Sequence, residues 1–392
     1  MTKYNLLKTA DIPFDVILLI IIGMIMLITG GLLLPISAGA LPYYENGLYG
    51  LLLFIFALQI ITLGQTPFGN MRRTKPLLAI GVAIAAIGIV TCFIPDIFNN
   101  IPRILLLLCF GLGGFLLFLQ MLFSKDKLLS WLKYGGIFHS LVFGCGVVYL
   151  LSILIGALIL KHNLLTTSKT AVVIMVYGVT IIYLAEVLRK IYLLYPEAEK
   201  LNDTGIALST DKAMILLTGI FMILLGVLLI PVNLGLLPFS GSAQLGLLMT
   251  IFAIQMLAFG NTPIGPFPRS WPIILFGLLF AALGITSCII PEILVSPLTV
   301  LVGVLNILGG AIMLWRICSP ILKKRDKPRD PVPLVLVKLT FAQVTLNLVS
   351  VLFGTSMLVA HMIPGRVIGV ILTINGCVLL YLLHILKLLD KM

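Results

Sequence analysis

Long runs of apolar residues, separated by short segments rich in glycine, proline and charged residues, follow one another along the whole chain. A helix needs about 20 apolar residues to cross the hydrocarbon core of a bilayer, and these runs reach that length. Apolar runs with such boundaries predict transmembrane helices. The pattern predicts twelve spans, at about 15–35, 47–64, 76–95, 101–123, 135–160, 169–192, 212–231, 243–260, 272–291, 297–318, 333–361 and 365–388.

Composition supports an all-α transmembrane fold and excludes a water-soluble globule. Of the 392 residues, 60% are hydrophobic and 10% are charged, whereas soluble domains have about 45–50% and about 25%. The net charge of +12 does not indicate nucleic-acid binding, because the charges lie between apolar runs and not on one face of a soluble domain. We expect no removable signal peptide, since no separate short apolar stretch with a cleavage site precedes the first span.

Lysine and arginine are distributed unequally between the two sides of the predicted spans. About 22 of them fall on the side that holds both termini, and about four, namely Arg103, Lys161, Lys169 and Arg366, fall on the other. Positively charged residues accumulate in cytoplasmic loops. We therefore predict cytoplasmic termini, and we call the opposite side of each span the predicted outer side.

The first half of the chain resembles the second half when the sequence is shifted by 196 residues. From Asp15 to Pro95, about 31 of 81 positions are identical, which is typical of an internal repeat. This predicts two six-span repeats, 1–200 and 201–392. Because six is even, both copies face the same way, and we expect a pseudo-twofold axis along the membrane normal.

Glycines seven residues apart, followed by a proline at the outer end of the span, recur in both halves. This pattern resembles that of the HdeD-type acid-resistance membrane proteins, so the chain is similar to a fused tandem pair of such six-span units. The resemblance implies a non-enzymatic stress protein of a prokaryotic inner membrane and assigns no functional residue. The matching residues are Gly23, Gly30, Pro35, Gly81, Gly88, Pro95, Gly219, Gly226, Pro231, Gly277, Gly284 and Pro291.

Polar side chains inside the spans are the first candidates for a functional site. Gln59 and Gln255 occupy the same place in the two halves, and the eleventh span carries Gln343 and Asn347, with His139 in its first-half counterpart. Interhelical hydrogen bonding explains such residues. The alternative is that they line a polar cavity between the halves.

A glycine-flanked Thr-Pro turn occurs twice on the predicted cytoplasmic side. Glycine and proline favour tight turns, and the arginines that follow can anchor at lipid headgroups. The alternative is a pair of small sites for anions or anionic headgroups, because glycine amides with a nearby arginine bind phosphate. The residues are Thr66, Gly69 and Arg73, and Thr262, Gly265 and Arg269.

Histidines and cysteines give little indication of a cofactor. Haem held by two histidines is an alternative. His162 and His361 lie near the outer ends of spans, and His139 and His384 lie near the cytoplasmic ends. No catalytic set is apparent, and the six cysteines have no zinc-binding spacing. We expect neither a cofactor nor a metal, and no enzymatic activity.

Three functional hypotheses follow. The first is a non-enzymatic membrane protein with a structural or stress-related role, or a subunit of a membrane complex. The second is a transporter or channel with a site between the two repeats. The third is an electron-transfer subunit with haem. Expected partners are membrane lipids, with anionic headgroups at the cytoplasmic face, and a protein at the basic loop 323–329.

Overall fold

Among the described residues, twelve helices are long and apolar enough to cross a membrane, which confirms the predicted all-α transmembrane class. The computed structural model describes residues 12–70, 73–124, 128, 131, 133, 135–161, 164–196, 209–323, 334–359 and 363–389. Most helix ends fall within two residues of the predicted bounds, because glycine, proline and charge end each apolar run.

The twelve helices are α1 (Phe14–Ser37), α2 (Glu45–Leu63), α3 (Lys75–Phe93), α4 (Ile101–Phe123), α5 (Ile137–Leu160), α6 (Thr167–Leu194), α7 (Thr210–Asn233), α8 (Gly241–Phe259), α9 (Trp271–Ile289), α10 (Val295–Lys323), α11 (Leu334–Leu358) and α12 (Gly365–Leu389). Two small antiparallel hairpins interrupt the helical chain. They are β1 (Gln65–Thr66) with β2 (Gly69–Asn70), and β3 (Asn261–Thr262) with β4 (Gly265–Pro266).

The helices form two compact units. The first unit comprises residues 1–208, 240–258 and 269–293, and the second comprises 209–239, 259–268 and 294–392. Helices α8 and α9, which follow the midpoint of the sequence, therefore pack with α1 to α6. The division into repeats 1–200 and 201–392 concerns sequence similarity and stays a prediction.

Within the first unit, helices pair where glycines allow their backbones to meet. Helix α1 packs on α6, α2 on α3, and α4 on α5. A Cβ atom added to Gly88 would lie 2.9 Å from the Gly50 carbonyl oxygen, and one added to Gly246 would lie 2.5 Å from the Gly284 oxygen. Small residues of this kind let helices associate in lipid, where apolar side chains gain little from leaving the solvent.

Close contacts between glycines also pair the helices of the second unit. Helix α7 packs on α12, and α10 on α11. Gly376 approaches the Gly219 carbonyl, so that an added Cβ would lie 2.7 Å from its oxygen, and Gly354 approaches Gly303 at 2.6 Å. These two contacts hold each pair of helices at a separation that no larger residue permits.

Backbone hydrogen bonds join α2 and α3 to α8 and α9 inside the first unit. The Tyr44 amide donates to the Ile289 carbonyl at 2.9 Å, and the Ser240 amide donates to the Phe93 carbonyl at 2.9 Å. Each donor and each acceptor lies 196 residues from its counterpart. The two bonds therefore link equivalent positions of the two halves reciprocally.

Two buried cysteines lie beside these hydrogen bonds. The Cys92 and Cys288 thiols lie close enough to each other to interact. Both also lie 3.7 Å from the Ala243 carbonyl oxygen. These two cysteines are likewise 196 residues apart. Equivalent positions of the two halves therefore lie side by side at the Ala243 carbonyl.

Gly88→Ala is expected to lower the free energy of unfolding by about 1–3 kcal/mol, the usual cost of overpacking. The added methyl group would meet the Gly50 carbonyl oxygen and the Phe54 nitrogen, both at 2.9 Å, and the Leu53 Cβ atom at 3.1 Å, and none of these atoms moves when a side chain rotates. The matched control is Gly31→Ala, because a Cβ at Gly31 meets nothing within 4 Å, and alanine favours the helix. Denaturant titration in detergent measures both, and equal effects would contradict the close-packing account.

Oxidation is expected to join Cys92 to Cys288 within one chain. The test uses a variant that keeps only these two cysteines and carries a protease site inserted between residues 200 and 201. After cleavage, the two fragments are expected to stay together on a non-reducing gel and to separate when reduced. Cys92→Ser is the control, and separation of the fragments after oxidation of the two-cysteine variant would contradict the arrangement.

Candidate binding cavity

A cavity of about 380 Å³ lies inside the first unit, surrounded by α1, α2, α4, α5 and α6. Its exposed lining residues, Tyr43, Glu45 and Thr167, lie at the end of the unit where α2 begins, which is the predicted outer end, and we take this end as its mouth. It extends along α1 from Leu33 to Met26, about 10 Å at the rise of an α-helix. Sites for small molecules are clefts of about this volume, largely apolar with a few polar groups. We name this space the outer cavity.

The lining of the outer cavity is mainly apolar, with six polar side chains that come from three helices and one loop. The apolar side chains surround the middle of the space. The polar lining residues are Thr29, Tyr43, Glu45, Tyr49, Thr167 and Thr170.

Thr29 is the deepest of these polar residues. It lies close to the middle of α1, and only 1% of its surface is accessible. Its hydroxyl oxygen has no hydrogen-bond partner among the described residues. Thr91 and Asn375 also contain such an atom, but neither lines the cavity. A buried hydroxyl without a partner costs about 1–3 kcal/mol, so Thr29 provides a hydrogen-bonding group that nothing in the described chain uses.

The mouth of the cavity carries one carboxylate and two phenols. The Tyr49 hydroxyl donates to the Glu45 carboxylate. Removal from water raises the pKa of Tyr43 above its ordinary value, and the nearby Glu45 carboxylate adds to the shift, although 38% of the whole residue is accessible. Tyr43 is therefore a neutral phenol at physiological pH.

Arg103 lies near this mouth and is bound to the backbone. Its guanidinium group donates to the Ile159 carbonyl at 2.6 Å and 3.0 Å, and to the Leu160 carbonyl at 3.4 Å. Cations commonly satisfy the free carbonyls at helix C-termini, and α5 ends at Leu160. Arg103 therefore binds the carbonyls at the end of α5. Among the described residues, no cationic group lies within 4 Å of the Glu45 carboxylate.

Phe110, which lines the cavity, belongs to an aromatic cluster. The Phe110 ring makes edge-to-face contacts with Phe56, at 5.3 Å between ring centroids, and with Tyr177, at 6.2 Å. Phe110 belongs to a π-helical turn, Leu108–Leu112, inside α4, and its carbonyl accepts a hydrogen bond from the Ser152 hydroxyl at 2.9 Å. Such turns inside α-helices occur frequently at functional sites.

The equivalent positions in the second half have a different chemistry. At the offset of 196 residues in α1 and α2, and 198 in α6, all six polar lining residues correspond to apolar residues or glycine. At three other positions the first half has an apolar lining residue and the second half has a polar one, namely Gln244, Asn306 and Ser356. Helix α10, the counterpart of α4, is an uninterrupted α-helix. The replacements of the six polar residues are Leu225, Phe239, Gly241, Leu245, Gly365 and Ile368.

The residues predicted to line a polar cavity lie elsewhere. Gln59 on α2, Gln255 on α8 and His139 at the start of α5 belong to the first unit, and none lines the outer cavity. Gln343 and Asn347 lie one turn apart on α11 in the second unit, where the Asn347 amide donates to the Gln343 carbonyl at 2.7 Å. The polar cavity of these five residues stays a prediction.

The two predicted headgroup turns are closed hairpins with the same hydrogen bonds. The Thr66 hydroxyl donates to the Gly69 carbonyl at 2.7 Å, and the Thr262 hydroxyl donates to Gly265 at 2.7 Å. Each hydroxyl also accepts from the amide two residues later. Both threonines are therefore engaged in shaping the turn.

The arginines that follow these turns are also engaged. The Arg269 guanidinium donates to the Ile12 carbonyl at 2.6 Å, just before α1 begins, and Arg73 has a partner as well. Anion or headgroup binding at the two hairpins stays a prediction.

The remaining candidates concern cofactors and partners. His139 and His384 are exposed and belong to different units, while His162, His361 and residues 324–329 of the basic loop lie outside the described residues. Within the described ranges, no three histidine, cysteine or acidic side chains come together as a metal site.

Sequence reasoning missed Thr29, Glu45 and Tyr49. A signal existed, because these residues are polar in the first half and are replaced by leucine or glycine 196 residues later. The predicted site included positions that are identical in the two halves, such as Gln59 and Gln255, whereas the polar residues of the outer cavity differ between the halves.

Comparison with known proteins adds no relative, since no family model, no curated protein and no solved structure matches this chain.

Thr29→Val is expected to raise the free energy of unfolding of the ligand-free protein by about 1 kcal/mol, because it replaces an unpartnered hydroxyl by a methyl group of the same shape. The control is Thr62→Val, since the buried Thr62 hydroxyl donates to the Leu58 carbonyl at 2.5 Å and its loss removes a hydrogen bond. Denaturant titration in detergent compares them. A Thr29→Val variant as destabilised as Thr62→Val would refute the unsatisfied hydroxyl.

Proposed function

We propose that this protein is a non-enzymatic membrane protein of the transporter or channel class that takes up a small molecule through the outer cavity. The observation that carries the proposal is a cavity of about 380 Å³, surrounded by five helices. At its deep end lies Thr29, whose hydroxyl has no partner among the described residues. Membrane helices that only pack against each other do not require a space of this size.

The direction of uptake follows from the charge distribution. The lysine and arginine count predicts that Glu45 lies outside the cytoplasm, so the ligand enters from that side. Passage further inward requires the Phe110 ring to leave its contacts with Phe56 and Tyr177. The π-helical turn gives α4 a local irregularity at this residue, where a change of register costs less than it does in a regular helix.

An internal duplication accounts best for the framework around the cavity. The reciprocal hydrogen bonds of Tyr44 and Ser240, and the meeting of Cys92 with Cys288, support two parallel six-helix repeats related by a pseudo-twofold axis. In this proposal, the ancestral unit provided the helix pairs, and the first copy later acquired the polar lining. Kinship with the HdeD-type proteins remains a prediction.

A structural or complex-forming role is the second candidate. The observation in its favour is the glycine packing of both units, which places backbone against backbone in α1–α6, α2–α3, α7–α12 and α10–α11. A protein with only this role would leave the outer cavity closed to water.

Thr29→Cys in a cysteine-free background is expected to react with a membrane-impermeant methanethiosulfonate reagent added from the predicted outer side of sealed membrane vesicles. The reason is that Thr29 lines a cavity whose mouth is at that end. Mass spectrometry of the purified protein measures the extent of labelling.

Thr62→Cys is the matched control, because Thr62 is equally buried and lies outside the cavity lining. It is expected to stay unlabelled. Absence of labelling at position 29 from either side, in a variant that folds normally, would contradict uptake through this cavity and favour the structural role.

A further inference from the structure

The Glu45 carboxylate lies at the mouth of a mostly apolar cavity and forms no ion pair among the described residues. Its hydrogen-bond partner is the Tyr49 hydroxyl, and among the described residues no basic group lies within 4 Å of it. Its position at the beginning of α2 favours an acid through the helix dipole. That effect explains the charge, but it does not explain the residues that surround it.

Aromatic side chains accompany the carboxylate. Tyr43 and Tyr49 line the same cavity as Glu45, and the Tyr49 hydroxyl donates to the Glu45 carboxylate. A carboxylate with aromatic side chains nearby can recognise organic ammonium groups, through ion pairing and through attraction to the ring faces.

Arg103 lies close enough to Tyr49 to act on it electrostatically, but its hydrogen bonds are made to the backbone. The Arg103 guanidinium is directed to the Ile159 and Leu160 carbonyls at the end of α5. The dipoles of these carbonyls partly offset the positive charge of Arg103. The Glu45 carboxylate is the charged group of the cavity lining.

Beyond the mouth, the cavity fits an apolar body with one polar end. Leu33, Leu52 and Leu106 line the cavity, and the Thr29 hydroxyl at its deep end has no partner among the described residues. A ligand with its cationic head at Glu45 therefore has room for an apolar portion and one hydrogen-bonding group at Thr29. The second half carries Gly241 in place of Glu45 and Leu225 in place of Thr29, so it lacks both recognition groups.

We propose that the outer cavity binds amphipathic organic cations, with the ammonium group between Glu45, Tyr43 and Tyr49 and the apolar portion directed toward Thr29. This assignment of the ligand class rests on the proposed function, namely uptake through the outer cavity.

The test uses two probes of the same shape that differ only in charge, 4-(hydroxymethyl)phenyltrimethylammonium and 4-tert-butylbenzyl alcohol. Full-length protein with Thr29→Cys in a cysteine-free background is placed in nanodiscs, and protection of Cys from a small neutral thiol reagent is measured against probe concentration. We expect the cation to protect at a concentration about tenfold lower than the neutral probe does, which is the contribution of a partly desolvated cation–π and carboxylate site.

Variants separate the recognition groups from general effects on the fold. Adding Glu45→Gln is expected to abolish the tenfold preference for the cation while leaving protection by the neutral probe unchanged. Tyr43→Leu is expected to reduce the preference about threefold. Glu292→Gln is the matched control, because Glu292 is an acid of the predicted outer side that does not line the cavity, and it is expected to keep the full preference.

Each outcome distinguishes the two proposals. Equal or better protection by the neutral probe, a preference that survives Glu45→Gln, or labelling that neither probe prevents would overturn the cation assignment and leave the cavity as the site of uptake. If residue 29 is not labelled at all in a normally folded protein, both the cation assignment and the proposed function are wrong. Size-exclusion profiles of the variants identify those that fold.

Discussion

Direct contact between helix backbones is the interaction on which the rest of this structure depends. In lipid, two helices gain little by hiding apolar side chains from one another, so their association relies on close van der Waals contact and on interhelical polar contacts. Glycine permits the closest approach, and the pairs Gly50 with Gly88 and Gly219 with Gly376 lie where helices meet. Tightly joined pairs then act as the rigid parts from which both units are assembled.

The outer cavity exists because five helices of the first unit do not close over one another at their predicted outer ends. Where glycines meet, as at Gly111 and Gly156 between α4 and α5, the backbones touch. Beside this contact, the π-helical turn displaces Phe110 from a regular helical register, and this residue lines the space. Close packing and the cavity are thus two consequences of the same helix arrangement.

The two halves differ in the polar lining of the cavity. Residues that hold the helices together are shared, as shown by Gly23 and Gly219, or Cys92 and Cys288. The polar lining residues are not shared, since Glu45 corresponds to Gly241 and Thr29 to Leu225. A framework tolerates such exchanges because packing constrains only positions at helix crossings. The difference between the halves therefore marks the residues that framework packing does not require.

The amino-acid sequence by itself determined the class of the fold, the number of spans and nearly all of their ends. Hydrocarbon thickness sets the length of each apolar run, and these are local properties of the chain. Only the tertiary structure decided that α8 and α9 pack with α1 to α6, that Thr29 and Glu45 border one cavity, and that Asn347 bonds its own helix. Those features depend on which helices become neighbours and how each is rotated about its axis. In a chain that is apolar on all sides, the sequence pattern carries little information about rotation, because lipid-facing and buried faces have almost the same composition.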